Sequence, residues 1–114
     1  NMIGIRGAIA EVSDTSEDII ESTKKLFTEI LKINNLEIDK IISVLFTVTH
    51  DLTEAFPAKA IRELGFTSIP AIDTLAPNIK NDLKGCIRIM VNYSEKIDVK
   101  HVYLDEAKSL RPDR

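Results

Sequence analysis

The stretch that decides the fold is GCIRIMVNY, residues 85–93. In an extended chain Ile87, Ile89 and Val91 would point to one side and the residues between them to the other. This alternation predicts a β-strand with one face in an apolar core. The opposite face carries Arg88, which protein interiors accept only when the guanidinium is paired. The same nine residues therefore predict a strand of a sheet and place an arginine on the face away from the core.

Other strands are expected on either side of this one along the chain. Residues 2–10 alternate isoleucines with Gly4, Arg6 and Ala8, and residues 40–49 are almost wholly apolar and rich in β-branched side chains. The second of these stretches predicts a strand that is buried on both faces. Shorter strands are predicted at residues 66–73 and 99–104.

Two segments predict helices. The first begins at an N-cap Thr15, carries an apolar stripe at helical spacing and ends at Asn34 and Asn35. The second begins at Pro57 and ends at Gly65, which suits a helix stop. The order of strands and helices predicts an α+β fold, a mixed β-sheet with helices packed on one face. A chain of 114 residues fits a single domain over residues 1–114.

Composition excludes several classes of partner. The net charge of −3 argues against nucleic acid, which needs a basic surface. No apolar run approaches the length of about 20 residues that spans a membrane. The single Cys86 cannot form a disulfide within the chain, and the N-terminal residues lack the pattern of a signal peptide. These features predict a cytoplasmic protein.

Two arginines interrupt apolar strands and define the candidate site. Arg6 and Arg88 are flanked by small residues, which is typical of a pocket floor where a guanidinium holds an anion. The alternative is that each reaches solvent or pairs with a nearby carboxylate. Lys59 and Arg62 share one face of the second helix, either at the same site or as an ordinary solvated face.

The sequence shows no motif for a metal site, a covalent nucleophile or a nucleotide. His50 and His101 are far apart and lie in no cluster with metal-ligand spacing, and no nucleophile elbow, phosphate loop or dinucleotide motif is present. We therefore expect no metal and no cofactor. The residues alone indicate a small α+β domain with a site for a ligand that bears carboxylates.

Five motifs, taken together, extend this interpretation. In order along the chain they are GIRGA (4–8), FPAKAIRELG (56–65), CIRIMV (86–91), HVYL (101–104) and LRPD (110–113). Their order and spacing resemble the monofunctional AroH-class chorismate mutases over nearly the whole chain. The resemblance implies a homotrimer built as a pseudo-α/β-barrel, with active sites between subunits. It also implies the Claisen rearrangement of chorismate to prephenate, in Phe and Tyr biosynthesis, without a cofactor or metal.

The resemblance assigns roles to residues that match the motifs. Arg88 would stabilise the charge that grows on the breaking ether oxygen, and Arg6 would hold the carboxylate on the enolpyruvyl side. Tyr103 would donate its hydroxyl to the same region. The remaining expected contacts line the wall and mouth of the cleft: Phe56, Ala58, Lys59, Arg62, Ala71, Ile72, Leu110 and Arg111.

The sequence departs from the family near the end of the third strand. The family has a cysteine there and, three residues later, a glutamate that accepts a hydrogen bond from the substrate's ring hydroxyl. This chain has Asp73 and Ala76 at those positions. The hypothesis is that Asp73 takes over the hydroxyl contact and also partners Arg88. The alternative is that Asp73 forms an Asx-turn with the following loop.

Two competing functions remain open at this point. One is a trimeric enzyme of similar architecture that acts on imines or enamines, as a deaminase does. The other is a non-catalytic trimeric sensor of an anionic metabolite, which the change at Ala76 keeps in consideration.

Overall fold

The structure is a computed structural model and describes residues 2–110. Its elements follow the order β1, α1, β2, α2, β3, β4, β5, with short 3₁₀ turns before β2 and after β5. The strands are β1 Ile3–Ile9, β2 Ile41–Val48, β3 Ala71–Leu75, β4 Ile87–Tyr93 and β5 Val102–Leu104. The helices are α1 Ser16–Ile33 and α2 Ala58–Glu63, and the 3₁₀ turns are Ile38–Lys40 and Asp105–Leu110.

The strands form one mixed sheet in the order β3-β2-β4-β1-β5. The central strand β4 runs antiparallel to both β1 and β2, whereas β3 is parallel to β2 and β5 is parallel to β1. The stretch at residues 85–93 thus supplies the middle strand of the sheet. The predicted fold class, an α+β domain with a mixed sheet, is confirmed.

The core lies between one face of the sheet and α1. Val44 and Phe46 on β2 are opposite Val91 and Ile89 on β4, and all four are buried. Helix α1 covers them with the apolar stripe that its sequence predicts, and its buried residues are Ile19, Ile20, Thr23, Leu26, Phe27 and Ile30. Burial of such side chains is the main favourable term in folding.

Gly7 lets α1 approach the sheet closely. A Cβ atom at this position would lie 2.8 Å from Cδ1 of Ile30 and 3.0 Å from the carbonyl oxygen of Val102. A side chain at Gly7 would therefore force the end of the Ile30 side chain to move and would crowd the backbone carbonyl of Val102. The motif GIRGA therefore combines a packing requirement at Gly7 with the candidate arginine one residue earlier.

The helix ends agree with the predictions. The hydroxyl of Thr15 accepts the N–H of Asp18 at 3.1 Å and caps α1. Asn35 follows the helix with φ of 50°, in the left-handed region that asparagine tolerates. Gly65 has φ of 93° and follows α2 in the same way.

The boundaries of two strands were predicted wrongly. Strand β3 begins at Ala71 rather than at residue 66, because residues 66–69 form a turn in which Phe66 packs its ring against Phe27. It continues to Leu75, beyond the predicted end, because the N–H of Ala76 still bonds to the carbonyl of Val48 at 2.8 Å. Strand β5 has three residues instead of six and starts at Val102.

The prediction that β2 is buried on both faces is wrong for the single chain. Val44 and Phe46 are buried against α1, but Leu45 is 38% exposed on the opposite face and Ile42 is 44% exposed. The two α-helices pack against one face of the sheet. On the other face Ala8 packs with Ala107 of the 3₁₀ turn after β5, whereas Leu45 stays exposed.

Candidate active site

The face of the sheet opposite α1, called here the open face, brings three predicted site residues together. Ala8 on β1 is opposite Arg88 on β4 and also opposite Tyr103 on β5, while Arg6 lies two residues before Ala8 on the same face. Arg6, Arg88 and Tyr103 line one cavity of about 190 Å³, called here the arginine cavity. Ala8 itself is fully buried, in a small cluster that includes Ala107 of the 3₁₀ turn after β5.

The two guanidinium groups are available to an anion. The ion pairs among residues 2–110 are all made by lysines, and neither Arg6 nor Arg88 takes part in one. Both side chains are half-buried. Two cations in one partly desolvated cavity favour a ligand with negative charge. Pairing with a carboxylate of the same chain, the alternative open from the sequence, is not seen in the described part.

Thr47 adds an unsatisfied hydroxyl to this cavity. It lies opposite Arg88 on the open face and lines the cavity with both arginines. Its Oγ1 is buried without a hydrogen-bond partner, and it is the single such side-chain atom found among residues 2–110. Sequence reasoning missed Thr47, because a threonine inside a β-branched run looks like an ordinary strand residue.

A second cavity, of about 350 Å³, lies beside the edge strand β3 and the start of α2. Phe56, Pro57, Asp73 and Thr74 are among the residues that line it. The side chain of Phe56 is 71% exposed, the highest value for a large hydrophobic residue in the described chain. This cavity, called here the Asp73 cavity, shares no residue with the arginine cavity.

The carboxylate of Asp73 faces α2 rather than the open face. Its Oδ1 accepts the N–H of Ala58 at 2.9 Å, fifteen residues earlier in the chain. Burial raises the pKa of Asp73, and the Ala58 hydrogen bond and the charge of Arg62 oppose that rise. The described hydrogen bond therefore joins two elements, in contrast to the Asx-turn with the following loop.

Asp73 and Arg88 are not neighbours within one chain. Asp73 is paired with Phe46, whose side chain is in the core, whereas Arg88 is paired with Thr47 on the open face. Successive residues of a strand point to opposite faces, so the sheet itself separates the two side chains. A contact between them would need a second copy of the chain.

Ala76, where the family has its glutamate, borders a third cavity of about 170 Å³ on another side of Arg88. Asp82 lines the same cavity, and its Oδ1 accepts the N–H of Leu83 at 2.9 Å. Asp82 is thus a carboxylate that lines a cavity together with Arg88, and sequence reasoning missed it.

The other predicted contact residues are spread around the Asp73 cavity and the open face. Lys59 and Arg62 are exposed on α2, and Lys59 is 3.9 Å from Glu63 in an ion pair. Ala58 is buried, Ala71 is half-buried, and Ile72 is 62% exposed on the open face. Leu110 ends the 3₁₀ turn after β5, and Arg111 lies outside the described residues.

The described residues show neither a metal site nor a membrane-spanning helix. Residues 2–110 contain no group of three or more His, Cys, Asp and Glu side chains arranged to hold a metal ion. In the same residues, no helix has the length and apolar character that crossing a membrane requires.

The fold and the arginine cavity define a class of protein: a mixed α+β sheet with two cationic side chains in one cavity on its open face. Comparisons with known proteins then place the chain in a family. The family model described as chorismate mutase type I matches residues 2–114, and the chain belongs to this family.

Characterised relatives agree over nearly the full length. The chain is 37% identical to the chorismate mutase AroH of Bacillus subtilis, covering 96% of this chain and 90% of that protein. It is 39% identical to the chorismate mutase AroH of Thermus thermophilus, covering 96% and 93%. A solved structure of a chorismate mutase from Clostridium thermocellum matches with a TM-score of 0.90 and 41% identity, covering 94% of this chain and 98% of that one.

Proposed function

We propose that this chain catalyses the Claisen rearrangement of chorismate to prephenate, in the route to Phe and Tyr. The observation that carries the proposal is the arginine cavity, in which Arg6, Arg88 and Tyr103 converge. Family membership supports the same reaction. We further propose a cytoplasmic location, supported by a single cysteine that cannot form a disulfide within the chain.

The enzyme's main task in this reaction is to bind chorismate in one conformation, and it needs few reactive side chains of its own. Chorismate is a dicarboxylate that must fold into a compact conformer before the bond exchange can occur. Holding that conformer removes part of the entropic barrier. In our proposal Arg6 holds the carboxylate of the enolpyruvyl side chain, and Tyr103 donates its hydroxyl to the same region. No covalent intermediate is formed on the protein.

Arg88 supplies the electrostatic part of catalysis. As the ether C–O bond breaks, negative charge grows on the ether oxygen. A guanidinium fixed beside that oxygen stabilises the transition state more than the ground state. Arg88 is suited to this role because it lies on the central strand, where hydrogen bonds to strands on both sides hold the backbone in place.

We propose that the active enzyme is a homotrimer with sites between subunits. Support comes from the apolar side chains on the open face, where Leu45 and Ile72 are cross-strand neighbours and both are exposed in the single chain. Contiguous exposed apolar surface of this kind marks interaction sites. The arginine cavity and the Asp73 cavity would then be two halves of one site, each from a different subunit.

In this arrangement the acidic group comes from across the subunit boundary. The partner subunit's Asp73 would accept a hydrogen bond from the ring hydroxyl of chorismate and lie near Arg88. Asp73 is suited to this role because one of its oxygens is already held by Ala58, which sets the direction of the other. Phe56, Lys59 and Arg62 would line the same half of the site, and Ala58, Ala71, Ile72, Leu110 and Arg111 would complete it.

A non-catalytic sensor of an anionic metabolite remains the second candidate. The observation that favours it is Ala76, which lacks the glutamate expected at that position and leaves the cavity beside Arg88 without that side chain. An enzyme acting on imines or enamines is not favoured, because the family match extends over residues 2–114.

The test is the loss of chorismate absorbance when purified protein is added, with NMR identification of the product. The expected result is conversion to prephenate at a rate proportional to protein concentration. Chorismate that binds but stays unchanged at high protein concentration would support the sensor instead. Sedimentation equilibrium tests the assembly, and the expected mass is three times the 12.8 kDa of one chain.

A further inference from the structure

His101 contacts the backbone of a proposed site residue directly. The N–H of Arg6 donates to Nδ1 of His101 at 3.0 Å. Strand β5 starts one residue later, at Val102, which is opposite Gly7 in the parallel pair. The imidazole therefore extends the pairing of β1 and β5 by one residue, with a ring nitrogen in place of a backbone carbonyl.

This hydrogen bond requires a particular state of the ring. Nδ1 can accept only when it carries no proton, so the imidazole must be neutral, with its proton on Nε2. Desolvation and the positive charge of Arg6 both lower the pKa of His101, which disfavours the charged form. The positive charge of Arg6 thus favours the neutral state of His101 on which the hydrogen bond depends.

The bond also acts on a short element. The register between β1 and β5 covers only the pairs Gly7–Val102, Ala8–Tyr103 and Ile9–Leu104. A pair of this length holds few backbone hydrogen bonds, so an additional bond at its end contributes a large share of its rigidity. Arg6 donates this bond from β1, and Tyr103 lies on β5 two residues after the accepting His101.

We propose that neutral His101 is a positioning residue that holds the backbone at Arg6 and so aims its guanidinium into the arginine cavity. This inference rests on the proposed role of Arg6 in holding a substrate carboxylate. His101 does not touch the reacting atoms. Its effect reaches substrate through the strand position of Arg6 and through the spacing between β1 and β5.

Three variants test the geometry of the bond. His101→Leu removes the acceptor, His101→Asn places an amide oxygen close to the position of Nδ1, and His101→Gln places it one bond further out. We expect His101→Leu and His101→Gln to raise KM for chorismate about tenfold with a smaller change in kcat, since the carboxylate contact exists in the ground state and the transition state. His101→Asn should stay within about twofold of the parent protein, and thermal unfolding shows that each variant is folded. An unchanged KM in folded His101→Leu would overturn the inference.

A double-mutant cycle separates positioning from general stabilisation. Arg6→Ala is measured alone and together with His101→Leu. If His101 acts through Arg6, the second substitution adds no further rise in KM. Additive effects would overturn the inference while leaving the role of Arg6 intact. An unchanged KM in Arg6→Ala would overturn both that role and the inference that rests on it.

A spectroscopic measurement reports the ring directly. Long-range ¹H–¹⁵N spectra of the folded protein should show His101 as the neutral tautomer protonated at Nε2. A proton on Nδ1 at neutral pH would exclude the hydrogen bond to Arg6 and overturn the inference.

Discussion

The two faces of the sheet differ in burial, even where β2 places an apolar side chain on each of them. Val44 and Leu45 are adjacent on β2; Val44 is 1% exposed beneath α1, and Leu45 is 38% exposed on the open face. The helix face is completed by this chain alone, with Phe46, Ile5 and Val91 fully buried. The open face carries the arginines and exposes the apolar side chains of Leu45 and Ile72. This difference indicates that one face supplies the stability of the monomer, whereas the other carries the surfaces to which we assign ligand binding and assembly.

The largest expected effect comes from placing the same charge on each face. Val44→Asp puts a carboxylate into the core without a partner, which destabilises the fold by more than about 4 kcal/mol, a large part of a domain's total stability. We expect this variant to be unfolded by circular dichroism. Leu45→Asp, one residue away, should keep the native spectrum and lose the trimer, with sedimentation giving the mass of one chain. A folded trimer in Leu45→Asp would exclude the open face as the subunit interface.

The second largest effect is expected from removing the charge of Arg88 in the arginine cavity. Arg88→Ala should lower kcat by at least about a thousandfold, because one preorganised donor at a developing oxyanion contributes about that much. Arg88→Lys should recover little, since an ammonium cannot reproduce the planar fork of a guanidinium. The free energy of unfolding, measured in urea, should change little in both, because Arg88 is outside the core. Near-normal turnover in Arg88→Ala would contradict the proposed mechanism.

A smaller effect is expected at Asp73. Asp73→Asn keeps an oxygen for the N–H of Ala58 but removes the charge, and we expect kcat/KM to fall about ten- to a hundredfold, the size of one hydrogen bond to a charged group. Asp73→Ala should add a loss of stability, because the Ala58 N–H loses its acceptor.

Asp82→Asn is the matched control for this experiment, because Asp82 borders the cavity beside Arg88 in the same chain. If Asp82→Asn lowers kcat/KM and Asp73→Asn does not, the acidic group of the site is Asp82. Equal, normal activity in both would show that the reaction needs neither carboxylate.

The smallest effect is the pH dependence that His101 imposes on stability. Its pKa is lowered in the folded chain from the ordinary 6.5 by desolvation and by Arg6. The unfolded chain therefore takes up the proton more readily, so the free energy of unfolding is fully retained above about pH 6.5 and falls as pH drops towards the folded pKa. His101→Asn should remove this part of the pH dependence. Urea unfolding at a series of pH values measures it, and identical pH profiles would contradict the assignment.

Much of the fold followed from local patterns. The alternation in residues 85–93, the caps at Thr15 and Gly65 and the order of elements all predicted what the structure has. Strand β3 was misplaced, because Phe66 and Ile69 look like strand residues but belong to a turn that packs on α1. That contact joins residues distant in sequence, and local propensity does not contain it.

The site was predicted in part. Arg6 and Arg88 were grouped from the strand pattern and Tyr103 was added through the family resemblance, and the structure brings the three to one cavity. Sequence reasoning missed Thr47, Asp82 and the hydrogen bond between Arg6 and His101. Their positions relative to the arginines depend on strand pairing and on the path of a loop, which local patterns do not contain.

The sequence by itself determined the alternation of apolar and polar positions, the helix ends and the family. These are local properties, set by the period of a strand and by the conformations that individual residues tolerate. The tertiary structure alone decided which apolar face α1 covers, and that Asp73 and Arg88 lie on opposite sides of the sheet. Strand pairing and register bring together residues tens of positions apart, and a one-residue difference in register reverses the face on which a side chain lies.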